Sequence, residues 1–163
     1  MNRRVAPPTL SRERGCAMDE WGFLRDCGSD VRRALESAPL DDRNFAGWAD
    51  DALRERSLSR GAVVGRSGLN HTYAYQILSG SRNPTRDKLL QVCFGMGLGV
   101  EDASDALERG GLSALRPDRR RDVVIAFCLE RGMGVTCCDH LLWEQGERPL
   151  TGGAAPGGPL ANS

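Results

Sequence analysis

The 163-residue sequence has almost no lysine, few aromatic residues and no long apolar run. One Lys stands against 21 Arg, a bias read here as the imprint of a GC-rich genome rather than a physical demand. No apolar stretch approaches the roughly 18 residues that a membrane span needs, so no membrane partner is expected. The first residues, "MNRRVAPPTLSRERG", are charged and lack the apolar core of a secretory signal, which points to a cytoplasmic protein. Six cysteines form no CxxC pair and no ladder of even spacings, a pattern that fits free thiols in a reducing compartment. Cys137 and Cys138, close to His140, make a poor metal corner, because two adjacent ligands cannot both face one ion without distortion. Neither a metal nor another cofactor is expected. His71 and His140 have no nucleophile or acid arranged beside them, so nothing points to an enzyme.

The formal net charge is zero, which excludes a global polycation. The distribution is uneven, however. Between Arg54 and Val92 seven bases (Arg54, Arg56, Arg60, Arg66, Arg82, Arg86, Lys88) face two acids (Glu55, Asp87), a local +5 that the rest of the chain cancels.

No period-two alternation of apolar and polar residues occurs, and Gly or Pro separates a series of short amphipathic segments, so the fold class is all-α. The size suits one compact domain with ragged ends. Residues 1–17 and 151–163 are aperiodic and rich in Pro, Arg, Gly or Ala, and both are expected to be disordered. The first is either an over-extended start before Met18 or a basic arm carrying Arg3, Arg4, Arg12 and Arg14. Residues 18–41 hold two short leading helices, "DEWGFLRDC" and "SDVRRALES", the second with Ser29 as its N-cap. In "DDRNFAGWADDALRER", Phe45, Trp48, Ala49, Ala52 and Leu53 share one helical stripe, which assigns Trp48 to the core.

Sliding the chain on itself by 35 residues lays Arg86–Leu115 over Arg121–Leu150 with nine of 30 positions identical. The identities include Arg86/Arg121, Asp87/Asp122, Cys93/Cys128, Gly97/Gly132, Gly99/Gly134 and Gly111/Gly146. The unit reads as a helix, a GxGV turn, a second helix and a Gly stop, which is an αα-hairpin. Cys93 and Cys128 then hold equivalent core positions, which favours packing over redox chemistry.

The segment "LSRGAVVGRSGLNHTYAYQILSGSRNPTRDKLL" has a further order of its own. Ser59 can cap a short helix that ends near Ser67, Gly68 can take the positive φ of a tight turn, and Asn70 can cap the next helix. Leu69, Ala74, Ile77 and Leu78 fall on the inner face of that helix. His71, Thr72, Tyr75, Gln76 and Ser79 share the outer face, without an acid among them. Gly80 stops the helix, "SRNP" makes a turn, and Thr85 caps "RDKLLQVCFGMG". Gly61 and Gly65 weaken the first of these helices by on the order of 1 kcal/mol each relative to Ala, so tertiary packing must hold it.

This layout resembles the phage-repressor-like (XRE-type) helix-turn-helix family of bacterial transcriptional regulators. With "RRDVVIAFCLERGMG" and "LLWEQGERPL" it is similar to a longer subgroup with extra C-terminal helices. The resemblance covers roughly residues 42–150. It implies a helix-turn-helix DNA-binding domain over 42–115 and a second αα-hairpin packed on it over 116–150. It also implies a recognition helix, about 70–79, lying in the major groove of double-stranded DNA. The family's base-contacting positions fall on His71, Thr72 and Gln76, with Tyr75 on the same face. Gln can bond adenine at two points, Thr can meet a thymine methyl, and His can donate to guanine. Phosphate-gripping positions fall on Arg60, Ser79, Arg82, Asn83 and Arg86. Where the family commonly has a small residue facing the turn, this chain has Val64. A homodimer is a further implication, since two-fold sites need paired recognition helices. The rival reading is a protein-interaction module, an antitoxin or signalling adaptor, on the same scaffold.

Overall fold

The computed structural model describes residues 21–41 and 43–152. Among them are eight α-helices, one 3-10 helix and no strand, so the chain is all-α. The segment 1–17 lies outside the described residues, as does the tail from 153 on. Thr151, grouped with the tail on sequence grounds, is bonded through its amide and hydroxyl to the Asp139 carboxylate. No described helix is long and apolar enough to cross a membrane.

Capping sets most of the helix starts. Asn44 accepts from the Gly47 amide at the start of α2 (Phe45–Glu55), and Ser59 accepts from Ala62 at α3 (Arg60–Ser67). Asn70 accepts from Tyr73 at α4 (His71–Ser79), and Thr85 from Lys88 at α5 (Arg86–Met96). Each satisfies an amide that the helix cannot pair internally. The leading segment differs from expectation. Its first part is a 3-10 helix, Gly22–Asp26, because no side chain caps it and one turn is too short to propagate. α1 (Val31–Ser37) is capped by Asp30 rather than Ser29, with the carboxylate accepting from both the Arg32 and Arg33 amides.

The core forms around α5, in which every residue from Leu89 to Met96 is buried. A helix apolar on all sides belongs at the centre, with other helices around it. The α2 stripe of Phe45, Trp48, Ala49, Ala52 and Leu53 joins this core in full, as do Ala74, Ile77 and Leu78 of α4. α3 comes so near α5 that a Cβ placed on Gly95 would stand 2.5 Å from the Val63 carbonyl oxygen and 3.1 Å from a Val63 methyl. This close approach joins α3 to α5, and Val64 beside it is itself buried.

The internal repeat reappears bond by bond. α6 (Val100–Arg109) corresponds to α8 (Val135–Glu144) residue for residue, and α5 to α7 (Arg120–Glu130) within one residue. Gly97 and Gly132 take φ of 70° and 64°, and Gly111 and Gly146 take 73° and 77°. The Leu98 amide donates to the Cys93 carbonyl, and Met133 to that of Cys128; Leu112 donates to Leu107, and Glu147 to Leu142. The Leu115 amide donates to Ser104, and its equivalent Leu150 to Asp139. Cys93 and Cys128 are both fully buried, and burial pushes the Cys93 thiol up to about 12.

The two units are joined by a reciprocal clasp. Arg86 of the first donates twice to Asp122 of the second at 2.9 Å, while Arg121 of the second donates to Asp87 of the first at 2.8 Å. In each unit the same arginine also donates from Nε to the equivalent carbonyl, Ser113 for Arg86 and Arg148 for Arg121. Such mutual pairing is the contact pattern of an isologous interface, here within one chain.

The close approach at Gly95 leads to a test by sign. An alanine normally stabilises a helix by up to ~1 kcal/mol relative to glycine. Gly65→Ala, with nothing within 4 Å of its new methyl, should follow that rule. Gly95→Ala should instead lose about 1–3 kcal/mol from overpacking, read as a fall in Tm. A neutral or stabilising Gly95→Ala would contradict the packing described.

A second expectation concerns the clasp. Asp122→Ala takes a buried carboxylate from Arg86, which keeps about a quarter of its surface exposed and its bonds to the Ser113 and Ala114 carbonyls, and should cost on the order of 1–3 kcal/mol. Burial pushes the Asp87 carboxyl up, but the guanidiniums of Arg121 and Arg148 outweigh it and hold the group below its usual range. A carboxylate depressed in the folded state adds stability above its unfolded pKa of about 3.9 and loses it as pH falls further. Asp87→Asn should therefore flatten the acid limb of the stability–pH curve below about pH 4; an unchanged limb would exclude Asp87 from that role.

Candidate nucleic-acid interface

The turn between α3 and α4 is fixed from below by buried polar groups. Ser67 is fully buried, donates to the Val64 carbonyl at 2.8 Å and accepts from the Leu69 amide at 3.2 Å. Gln91 reaches up from α5 and donates to the Ser67 carbonyl at 3.1 Å. Between them Gly68 takes φ 70°, the left-handed conformation that a residue with a Cβ seldom adopts. The Gln91 Oε1 is buried without a partner, so the single bond from its amide nitrogen and the two of Ser67 brace the turn from which α4 leaves. Sequence reasoning placed Gly68 correctly but missed Gln91, which carries no local signal and sits in an otherwise apolar run.

On α4, His71 and Thr72 are exposed in the first turn, and Tyr75 and Gln76 are half-buried one turn on. The His71 ring lies 4.7 Å from that of Tyr75, tilted by 51°. Tyr75 leans toward α3, where its hydroxyl lies 3.5 Å from the position a Gly61 Cβ would occupy. Among the described residues no hydrogen bond restrains the Gln76 side-chain amide. His71, Thr72, Tyr75 and Gln76 thus share one acid-free surface rich in donors and acceptors.

The end of α4 is a dense cap. The Gln76 carbonyl accepts from the hydroxyls of Ser79 and Ser81 and from the amides of Ser81 and Arg82. Ser79 is exposed with its hydroxyl 3.1 Å from that of Ser81. Asn83 is exposed. The Arg82 guanidinium lies 5.3 Å from the centre of the Tyr73 ring, close enough for a cation–π contact that orients it.

Two of the remaining expected positions are engaged elsewhere. Arg60 is ion-paired with Asp50, both about two-fifths exposed, an arrangement open to exchange with another anion because exposed pairs are weak. Arg86 is different: Nε and both terminal nitrogens are spent on Asp122 and on the carbonyls of Ser113 and Ala114. It belongs to the clasp between repeats.

The local charge excess is likewise smaller in space than along the chain. Arg54 pairs with Asp51 and Arg56 with Asp102, in addition to the pairs of Arg60 and Arg86. Arg66, Arg82 and Lys88 make no ion pair with a described residue. No family model, curated protein or solved structure matches the chain.

Proposed function

We propose that α3, the turn at Gly68 and α4 act as a helix-turn-helix of the phage-repressor type, and that the protein is a sequence-specific DNA-binding transcriptional regulator. In this reading α4 enters the major groove with His71, Thr72, Tyr75 and Gln76 at base edges. Arg60, Ser79, Arg82 and Asn83 lie toward the phosphates and set register. Arg86 supports the scaffold instead. The observation that carries the reading is the acid-free outer face of α4, presented beyond a turn that buried Ser67 and Gln91 brace by hydrogen bonds. A merely solvated helix has no need of such fixing and usually carries carboxylates. Two-fold operators need two such helices, so a homodimer is part of the proposal.

One observation favours the interaction-module alternative. An apolar groove of about 480 Å³ runs between Val100 of α6, Leu115 and Pro117 of the following connection, and Val123 and Phe127 of α7. Both readings can hold in one molecule, with DNA at α4 and a protein at the groove.

Two substitutions separate base reading from phosphate grip. Gln76→Ala should weaken binding to a preferred duplex by on the order of 1–3 kcal/mol and leave random DNA nearly unaffected. Arg82→Ala should weaken both and lower the slope of log affinity against log salt by about one unit. If both variants fold and neither alters DNA binding, the DNA reading fails and the interaction module takes its place.

A further inference from the structure

A second feature lies away from α4, where α7 begins. A cavity of about 560 Å³ opens there, within the range of small-ligand sites. Five arginines line it against two acids, Asp122 and Glu147. Asp122 is already taken by Arg86 and by the Arg116 amide. Glu147, about a quarter exposed, stands 3.8 Å from the exposed Arg120, which also donates to the Gln145 side-chain carbonyl at 3.3 Å. Arg119 forms no ion pair with any described residue. Arg121 donates to Asp87 from one terminal nitrogen, but its other, Nη2, is buried without an acceptor.

The repeat makes the departure plain. In the first unit Thr85 supplies the oxygen that caps α5. The residue 35 positions later is Arg120, and the N-cap Arg119 offers no side-chain oxygen to α7. Donors thus replace an acceptor at a place where the helix start itself calls for one. Arg116 is held by Asp118 through two hydrogen bonds, and Glu147 is the one lining acid without a close partner. The donors of Arg119 and Arg120 and the start of α7 outnumber it, and the partner they lack is an anion with several acceptor oxygens.

We infer that this cavity binds a phosphate-bearing anion, held by Arg119 and Arg120 and by the opening amides of α7, with Arg116 and Arg121 adding positive charge from their own ion pairs. Guanidinium forks match the geometry and charge of a phosphoryl group. The phosphate can belong to a small phosphorylated ligand or to a DNA backbone, and experiment distinguishes these sources.

Calorimetric titration of the full chain with pyrophosphate, at ionic strength fixed with chloride, is the first arm. The Arg119→Ala/Arg120→Ala double variant should bind at least tenfold more weakly, with an unchanged Tm in chloride. Each single variant serves if the double is unstable. This arm involves no DNA, so it stands whether or not α4 reads bases. The second arm measures duplex binding against salt. If pyrophosphate gives no heat but the double variant lowers the salt slope by about two units, the site is filled by DNA backbone. If pyrophosphate does not bind and the slope is unchanged, or if pyrophosphate binds equally to wild type and variant, the inference is overturned.

Discussion

The structure depends on the approach of α3 to α5 at Gly95, where no methyl group fits between the helix and the Val63 carbonyl. That contact brings the end of α3 within reach of Gln91, four residues earlier on α5, which fastens the following turn. The direction of α4, and hence the placement of His71, Thr72, Tyr75 and Gln76, follows from it. At its other end the same helix carries Arg86 and Asp87, which join the first repeat unit to the second. One buried helix therefore orients the candidate DNA-reading element at one end and the C-terminal extension at the other.

This arrangement explains an apparent waste in the sequence. Gly61, Gly65 and Gly95 all burden helices, yet one of them answers a neighbour: Gly95 faces Val63, where a Cβ has no room. The basic excess is similarly redistributed. Arg56, Arg60 and Arg86 are matched to acids on other elements and Arg54 to Asp51 on its own helix, leaving Arg66, Arg82 and Lys88 outside any described ion pair. A chain of zero net charge can in this way keep a small local basic surface without a polycationic field, and any DNA affinity would then rest on few phosphate contacts and more on base edges.

Much of the fold was legible because its signals are local. Ser59, Gly68, Asn70, Gly80 and Thr85 announce their turns and caps through side-chain chemistry alone, and the stripe from Phe45 to Leu53 announces its buried face by period. The repeat was legible as well, down to the shared Arg-Asp pairs. Their cross-pairing was not, because identity at two positions says nothing of whether the residues meet each other or solvent. The role given to Arg86 changed for that reason. Gln91 escaped notice because a polar residue within an apolar run has no periodic signature. Asp30 stands as the cap in place of Ser29 because the helix begins one residue later, at Val31, and a single Asp30 oxygen accepts from both the Arg32 and Arg33 amides.

The central claim is that α4 reads base sequence. Selection of bound fragments from a pool of genomic duplexes, repeated at rising salt, tests it most directly. The account predicts that one short motif is enriched and that its enrichment sharpens with salt, as non-specific phosphate binding is screened away. Recovery of fragments without a common motif, or no recovery at any salt, would contradict it.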